Sequence, residues 1–341
     1  MRLSVLDQSI ILAGRRPEES IRESVALARL CEGLGYHRYW VAEHHNSAGI
    51  AGSAPEVLLG ALALATTTMR IGSAGIMLPH YAPLKVAEQF RVLEALAPGR
   101  VDLGLGRGPG ADRQTIYALN PDAMDHPLAM AGPDRFEQDV QDVLTWVGGG
   151  TPEEGHLFEG IRAQPLGATA PQAWIIGSTP ASAGLAAELG LPFCFAHFFH
   201  DGEGAEAAIA AYREGFTPSA WLAAPLLGIC LWAVAAGTGD KADALFEQYA
   251  LYRGGRDRGR PLPFPGLAEL AAWTRTSAEA SRAEKLRERT VCGTPDLVAA
   301  GLRDLAARYG ADELVLLGVA HDPADRAASY RLIAEAMGLR A

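Results

Sequence analysis

The chain is short of positive charge. Thirty Lys and Arg stand against forty Asp and Glu, a formal net charge of −10. That excludes a nucleic-acid-binding surface, because neutralising phosphates requires a basic face. Cysteine is scarce: Cys31, Cys194, Cys230 and Cys292 are scattered without Cys-x-x-Cys spacing. Neither a disulfide framework nor a zinc ribbon fits, and a reduced, cytoplasmic compartment is expected. No signal-peptide pattern precedes the first strand-like run, Leu3-Ser4-Val5-Leu6. One stretch without charge, Thr217 to Gly239, is interrupted by Pro218, Pro225 and Gly228 and lacks basic flanks. It is expected to be a buried strand with apolar loop ends, not a membrane span. A dinucleotide fingerprint is also missing. Gly104-Leu105-Gly106-Arg107-Gly108-Pro109-Gly110 comes near it, but the third glycine would fall on Pro109 and no helix follows directly.

What the chain does have is apolar mass, 49% of residues against 21% charged, enough for a sizeable core. Short apolar runs near 3–6, 38–42, 70–77, 101–105, 173–176, 193–196, 226–234 and 312–318 read as strands buried on both faces. Helical stretches near 17–34, 54–68, 83–97, 133–147, 180–190, 203–213, 295–309 and 323–338 alternate with them. Pro17, Pro55, Pro83, Pro133, Pro180, Pro295 and Pro323 open seven of these, at the position where a missing N–H costs nothing. Thr294 and Asp322 precede two of them as N-caps. Eight strand–helix pairs predict a single (β/α)8 TIM barrel over residues 1–341, with its chemistry at the C-terminal strand ends. Two long connections, 106–132 and 236–294, fall on that face, where long loops are usually functional. The second, with its Gly/Pro-rich Gly254 to Pro265, is expected to be a mobile lid. The cluster Arg253, Arg256, Arg258 and Arg260 is expected to be a solvated loop.

Six of nine histidines follow strand ends: His44, His45, His80, His197, His200 and His321. No His-x-His or His-x-x-x-His spacing occurs, and adjacent strand residues point to opposite sides, so His44 and His45 cannot both ligate a metal without a loop twist. No metal is expected; a single catalytic histidine is. Gly72-Ser73-Ala74-Gly75 is small enough either to let a flat ligand approach the backbone or merely to fill a narrow barrel. Arg107 at a strand end and Arg135 early in a helix could converge on an anion. Ser178, Thr179 and Ser182 at a helix start suit a phosphate, or serve as an ordinary cap.

With these residues in place, the chain resembles the bacterial luciferase-like flavin-dependent monooxygenases, in their single-subunit oxidoreductase branch. The resemblance is densest in Ala42-Glu43-His44-His45-Asn46, in Gly72-Ser73-Ala74-Gly75 through Pro83, and in Pro98-Gly99-Arg100 through Gly108. It continues in Ser178-Thr179, Ala186-Ala187-Glu188-Leu189-Gly190 and Gly293-Thr294-Pro295. It implies a barrel binding FMN at the C-terminal face, with His44 near the reactive edge and Ala74–Gly75 as a non-proline cis peptide beneath the ring. Arg107, Arg135, Ser178, Thr179 and Ser182 match the positions that hold the phosphate. Gly106 stands where the luciferase catalytic subunit carries a reactive cysteine. The function implied is oxygenation of a small organic substrate by reduced FMN and O2, with reduced flavin supplied by a separate NAD(P)H-dependent reductase to a homodimer. A deazaflavin-dependent dehydrogenase and a non-catalytic flavin-binding protein are the alternatives.

Overall fold

The computed structural model describes residues 1–108, 110–121, 133–259 and 262–340. Arg260 of the arginine cluster, and residues 122–132 of the first long connection, lie outside the described residues. Eight parallel strands close a barrel: β1 (Arg2–Asp7), β2 (Arg38–Val41), β3 (Arg70–Met77), β4 (Val101–Gly106), β5 (Gln172–Gly177), β6 (Phe193–Ala196), β7 (Leu227–Ala235) and β9 (Glu313–Leu317). Neighbours pair in sequence order, and β7–β9 and β9–β1 complete the ring. A ninth strand, β8 (Val291–Gly293), pairs only with the C-terminal end of β7. The charge-free stretch is indeed strand, with every residue of β7 buried. Among the described residues no helix is long and apolar enough to cross a membrane.

Around the barrel lie α1 (Pro17–Gly33), α2 (Pro55–Ala65), α3 (Pro83–Leu96), α4 (Arg113–Leu119), α5 (Pro133–Val147), α6 (Pro180–Glu188) and α7 (Ala205–Gly215). The insertion after β7 holds α8 (Gly239–Asp257), α9 (Leu267–Ala272) and α10 (Ser277–Arg289); α11 (Pro295–Tyr309) and α12 (Pro323–Met337) finish the ring. Asp322 caps α12 by accepting from the Ala324 N–H at 2.8 Å, whereas Thr294 occupies the cap position of α11 without a side-chain bond. The pre-set φ of Pro295 starts that helix without help from a side chain.

Odd and even strand positions divide the interior. Tyr39, Val41, Ile71, Leu103 and Leu314 pack outward against the helices. Leu6, Trp40, Trp174, Cys194, Cys230, Trp232, Val315 and Leu317 fill the lumen and run up to the mouth. The lumen floor is polar. Arg38, 2% exposed, forks to Asp102 (2.8 Å) and Glu313 (2.9 Å) while its plane lies 4.8 Å from the Trp174 ring centre. Ser4 also donates to Glu313, and Arg70 and the Trp40 indole also reach Asp102. Buried charges persist only when each is paired in this way.

The insertion corrects one expectation. Gly254 to Asp257 belong to the last turn of α8, and Arg253 is buried, bonding Asp201 at 3.4 Å and the carbonyls of Phe198 and Phe199. A local reading of charge density could not see Asp201, which arrives from the loop after β6.

Candidate functional site

The fully buried run Arg38 to Val41 drives β2 through the barrel, and its alternation carries on into the loop. Arg38, Trp40 and Ala42 face the lumen, so His44 continues toward the mouth while Glu43 and His45 turn outward. Glu43 has no solvent exposure and holds three groups: the Met77 N–H at the end of β3 (2.9 Å), the Tyr81 hydroxyl (2.7 Å) and His45 Nε2 (2.7 Å). Asn46, at φ 50°, then turns the chain, and its amide donates to Asp112, the cap of α4.

His44 donates its backbone N–H to the Gly52 carbonyl at 2.8 Å, and its Nδ1 is buried with no partner among the described residues. Burial, reinforced by Arg256 on α8 and opposed by Glu43, pushes its pKa down to about 4. The imidazole is neutral at pH 7, able to donate or accept a hydrogen bond but carrying no charge. His197, at the end of β6, is lowered to about 4 as well, chiefly by burial.

The Ala74–Gly75 peptide is cis. The small residues around it are packing requirements at least in part: a Cβ at Gly72 would collide with Asp102, and one at Gly104 with the Ser73 carbonyl. Ser73 itself is buried, its hydroxyl donating to the Gly104 carbonyl (3.0 Å) and accepting from the Gly104 N–H (3.1 Å) across a register shift between β3 and β4. Ala74 remains half-buried on the lumen side. A Cβ at Gly106 would meet only Ile76 O at 3.7 Å and Met77 Sδ at 3.8 Å, so there is room where luciferase has its cysteine.

At the ends of β4 and β5, which pair through Leu105 and Ile175, Arg107 and the turn Ser178–Ser182 come out side by side. Arg107 is exposed and makes no ion pair among the described residues. Thr179 and Ser182 form the cap of α6: the Thr179 hydroxyl accepts from the Ser182 N–H at 3.3 Å and Ser182 Oγ donates to the Thr179 carbonyl at 2.8 Å. Only glycine fits at 177, because a Cβ would strike Ser182. Arg135 is exposed on α5 and bonded to Asp139 at 2.8 Å, and among the described residues it makes no hydrogen bond or ion pair with Arg107 or the α6 turn.

Sequence reasoning missed several groups in the lumen and toward its mouth. Gln8, 1% exposed at the end of β1, has both amide atoms unpaired, and the indole N–H groups of Trp174 and Trp232 are unpaired too. Buried polar atoms are nearly always satisfied, so this concentration marks a place where a ligand completes the bonding. Glu43 was also missed; its only signal was a carboxylate ending an otherwise apolar strand. Among the described residues, no group of three or more His, Cys, Asp or Glu is placed to hold a metal ion. A cavity of about 690 Å³ lies elsewhere, between His197, α10 and α11.

Comparison with known proteins bears on this geometry. Residues 1–313 match the family model described as luciferase-like monooxygenase. A protein of Escherichia coli (strain K12) named luciferase-like monooxygenase is 37% identical over 335 residues, covering 96% of this chain and 95% of its own. The N-acetyl-S-alkylcysteine monooxygenase of Bacillus subtilis is 33% identical over 341 residues, covering 99% and 98%. Among solved structures, apo-MsnO8 superposes with a TM-score of 0.86 at 33% identity, covering 99% of this chain and 98% of that one. Two more distant structures share the fold. The oxygenating constituent of 3,6-diketocamphane monooxygenase from Pseudomonas putida in complex with FMN has a TM-score of 0.70 at 20% identity, covering 98% and 97%. An F420-dependent secondary alcohol dehydrogenase has a TM-score of 0.63 at 16% identity, covering 98% of each chain. The barrel, the histidine at the end of its second strand and the match along nearly all of its length place this chain in the luciferase-like monooxygenase family.

Proposed function

We propose that this chain is an FMN-dependent monooxygenase that uses reduced flavin and O2 to oxygenate a small organic substrate. The observation that carries this reading is the set of unsatisfied buried polar atoms toward the mouth, His44 Nδ1 among them, set in a lumen lined by apolar and aromatic side chains above its charged floor. The residues present fit the cofactor. Ala74 and Gly75 offer a flat backbone surface, and Arg107 with Ser178 and the Ala181 N–H in the first turn of α6 offers an anion cradle on the β4–β5 side. When bound, the flavin supplies the activation of oxygen. The chain's own work is to hold the ring, to exclude water through the insertion's apolar face, and to keep His44 neutral as a hydrogen-bond partner for the reacting atoms. The relative that acts on N-acetyl-S-alkylcysteine makes a thioether a reasonable first substrate. Reduced FMN would come from a separate NAD(P)H-dependent reductase, and the enzyme would work in the cytoplasm as a homodimer.

The test is to mix anaerobically prepared protein and reduced FMN with a thioether, admit 18O-labelled oxygen and measure label in the product. Tight binding of F420 with no binding of FMN would favour a dehydrogenase instead. Flavin binding without any labelled product across a thioether and ketone panel would leave the oxygenase reading without support. Rapid NAD(P)H oxidation by the chain alone would remove the two-component arrangement.

A further inference from the structure

Two polar groups on the β1–β2 side of the mouth have no ligand assigned to them above. Gln8 is held rigidly. The next residue, Ser9, sits at φ 51°, its N–H donating to Asp7 and its hydroxyl bonded to Ser24 at 2.8 Å. A Cβ at Gly52 would press on the Gln8 carbonyl, and the Gly52 carbonyl in turn receives the His44 N–H, so Gln8 and His44 are neighbours across one glycine. On the alternation that sends Ser4 and Leu6 inward, the Gln8 amide faces the lumen, with donor and acceptor both desolvated and both free.

The second group is Arg256. Leu245, Tyr249, Tyr252 and Arg256 recur at helical spacing on one face of α8, and that face covers the mouth. Tyr249 stacks on Trp232 of β7 at 3.9 Å, and Tyr252 packs on Phe264, whose backbone pairs with Ile11 and Ala13 beyond β1. Arg256 therefore reaches the mouth on the side of His44, and its charge adds to burial in holding that imidazole's pKa down. Nearby arginines have carboxylate partners, Arg253 with Asp201 and Arg258 with Glu279. Arg256 has none among the described residues; its side-chain neighbour is the Tyr252 hydroxyl. It also lies across the mouth from the β4–β5 cradle assigned to the phosphate.

We propose that this side of the mouth recognises a small carboxylate that carries an amide, an N-acylamino acid, with Arg256 taking the carboxylate and Gln8 pairing with the amide N–H and C=O. The inference rests on the oxygenase reading for the location of the substrate, and it places the remainder of such a molecule against His44. A cation without a carboxylate partner on this side of the mouth selects an anion, and a buried amide with both atoms free rejects a ligand unable to satisfy both.

The test uses the protein loaded with oxidised FMN and calorimetric binding of three probes: N-acetyl-S-methylcysteine, its methyl ester, and S-methylcysteine. The wild type should bind the acid at least about tenfold more tightly than the ester, in line with one charge-assisted contact. Arg256→Gln should abolish that preference, and Arg256→Lys should restore part of it. Gln8→Leu should weaken the N-acetyl acid about tenfold and S-methylcysteine far less. FMN affinity should stay within about twofold throughout. Equal affinity of the wild type for acid and ester would overturn the proposal without needing any variant. So would equal weakening of acid and ester by Arg256→Gln, of both amino acids by Gln8→Leu, or a parallel loss of FMN. Because the readout is binding, selective capture of the acid with no oxygen transfer would uphold this inference while defeating the oxygenase reading; oxygenation of acid and ester alike, bound equally, would do the reverse.

Discussion

Glu43 Oε1 lies 2.7 Å from His45 Nε2, so the second histidine of the pair is tied back to the barrel wall while the first is left facing the mouth. One carboxylate thereby fixes the β2 loop, the end of β3 and Tyr81 together. Glu43→Ala should leave the Met77 N–H and the Tyr81 hydroxyl without their acceptor and cost about 3 kcal/mol, at roughly 1–3 kcal/mol per unsatisfied group. Urea denaturation measures it; a loss below about 0.5 kcal/mol would mean that water or another acceptor takes over.

Acid should destabilise the protein earlier than its carboxylates alone would. His44 and His197 take up protons in the unfolded chain near 6.5 but in the folded chain only near 4. Between those values the unfolded state binds more protons, so stability is full above pH 6.5, falls as pH drops toward 4 and levels below it. The contribution is on the order of 2–3 kcal/mol per histidine. The contribution of Asp102, held low by Arg38 and Arg70 against its burial, is present above its ordinary 3.8 and is lost only at lower pH. Denaturation midpoints from pH 7.5 to 4.5 should show the slope, and His197→Gln should reduce it. A flat profile in the wild type would contradict the neutral, buried state of both rings.

A neutral His44 also shapes the activity profile. His44→Ala should cut turnover by about a hundredfold or more, in the range of lost general acid–base or hydrogen-bond assistance, with flavin binding retained. No inflection near pH 6.5 in the wild-type rate should disappear in His44→Ala, because the group does not titrate there. Near-normal turnover in the variant would transfer the role to another residue.

For the flavin phosphate, Arg107→Ala should weaken FMN about tenfold or more while leaving riboflavin nearly unchanged, as expected for a charge-assisted contact of about 1.5–3 kcal/mol. Arg135→Ala should have the smaller effect, since that guanidinium is already shared with Asp139. Fluorescence titration of both ligands decides it. Equal weakening of FMN and riboflavin by Arg107→Ala would show that the arginine does not address the phosphate.

At the barrel floor, Arg38→Met should cost about 3–5 kcal/mol, because it strands two buried carboxylates. Arg38→Lys should recover little, since a single ammonium cannot reproduce the fork to Asp102 and Glu313. A Met variant as stable as the wild type would mean that the carboxylates are protonated or rehydrated at small cost.

The barrel was legible in the chain because the strands are short apolar runs separated by helices, seven of them opened by a proline. Trp40, Trp174 and Phe193 could hardly be elsewhere than inside. The short β8 was not legible, since Val291-Cys292-Gly293 carries no strand signal of its own and pairs only because α8 to α10 return it to β7. Arg253 was misread because its partner Asp201 lies in another loop. Of the site, His44 and the hydroxyls of α6 could be picked out from their positions at strand and helix ends. The charge state of His44 could not, since it depends on burial and on Arg256 from the far side of the chain. Gln8 gave no sign at all: an amide is conspicuous only when the surroundings withhold every partner.

The charged floor turns the barrel into a blind well. With Arg38, Asp102 and Glu313 locked together beneath Trp40 and Trp174, nothing can pass through the bottom, and α8 roofs part of the top. Whatever reacts here must come and go by the same door. A product still in the vestibule therefore bars the next substrate, and on the function proposed above a spent flavin covered by its guest leaves only after it. On that reading the order of departure sets turnover, with the guest out first and the flavin behind it.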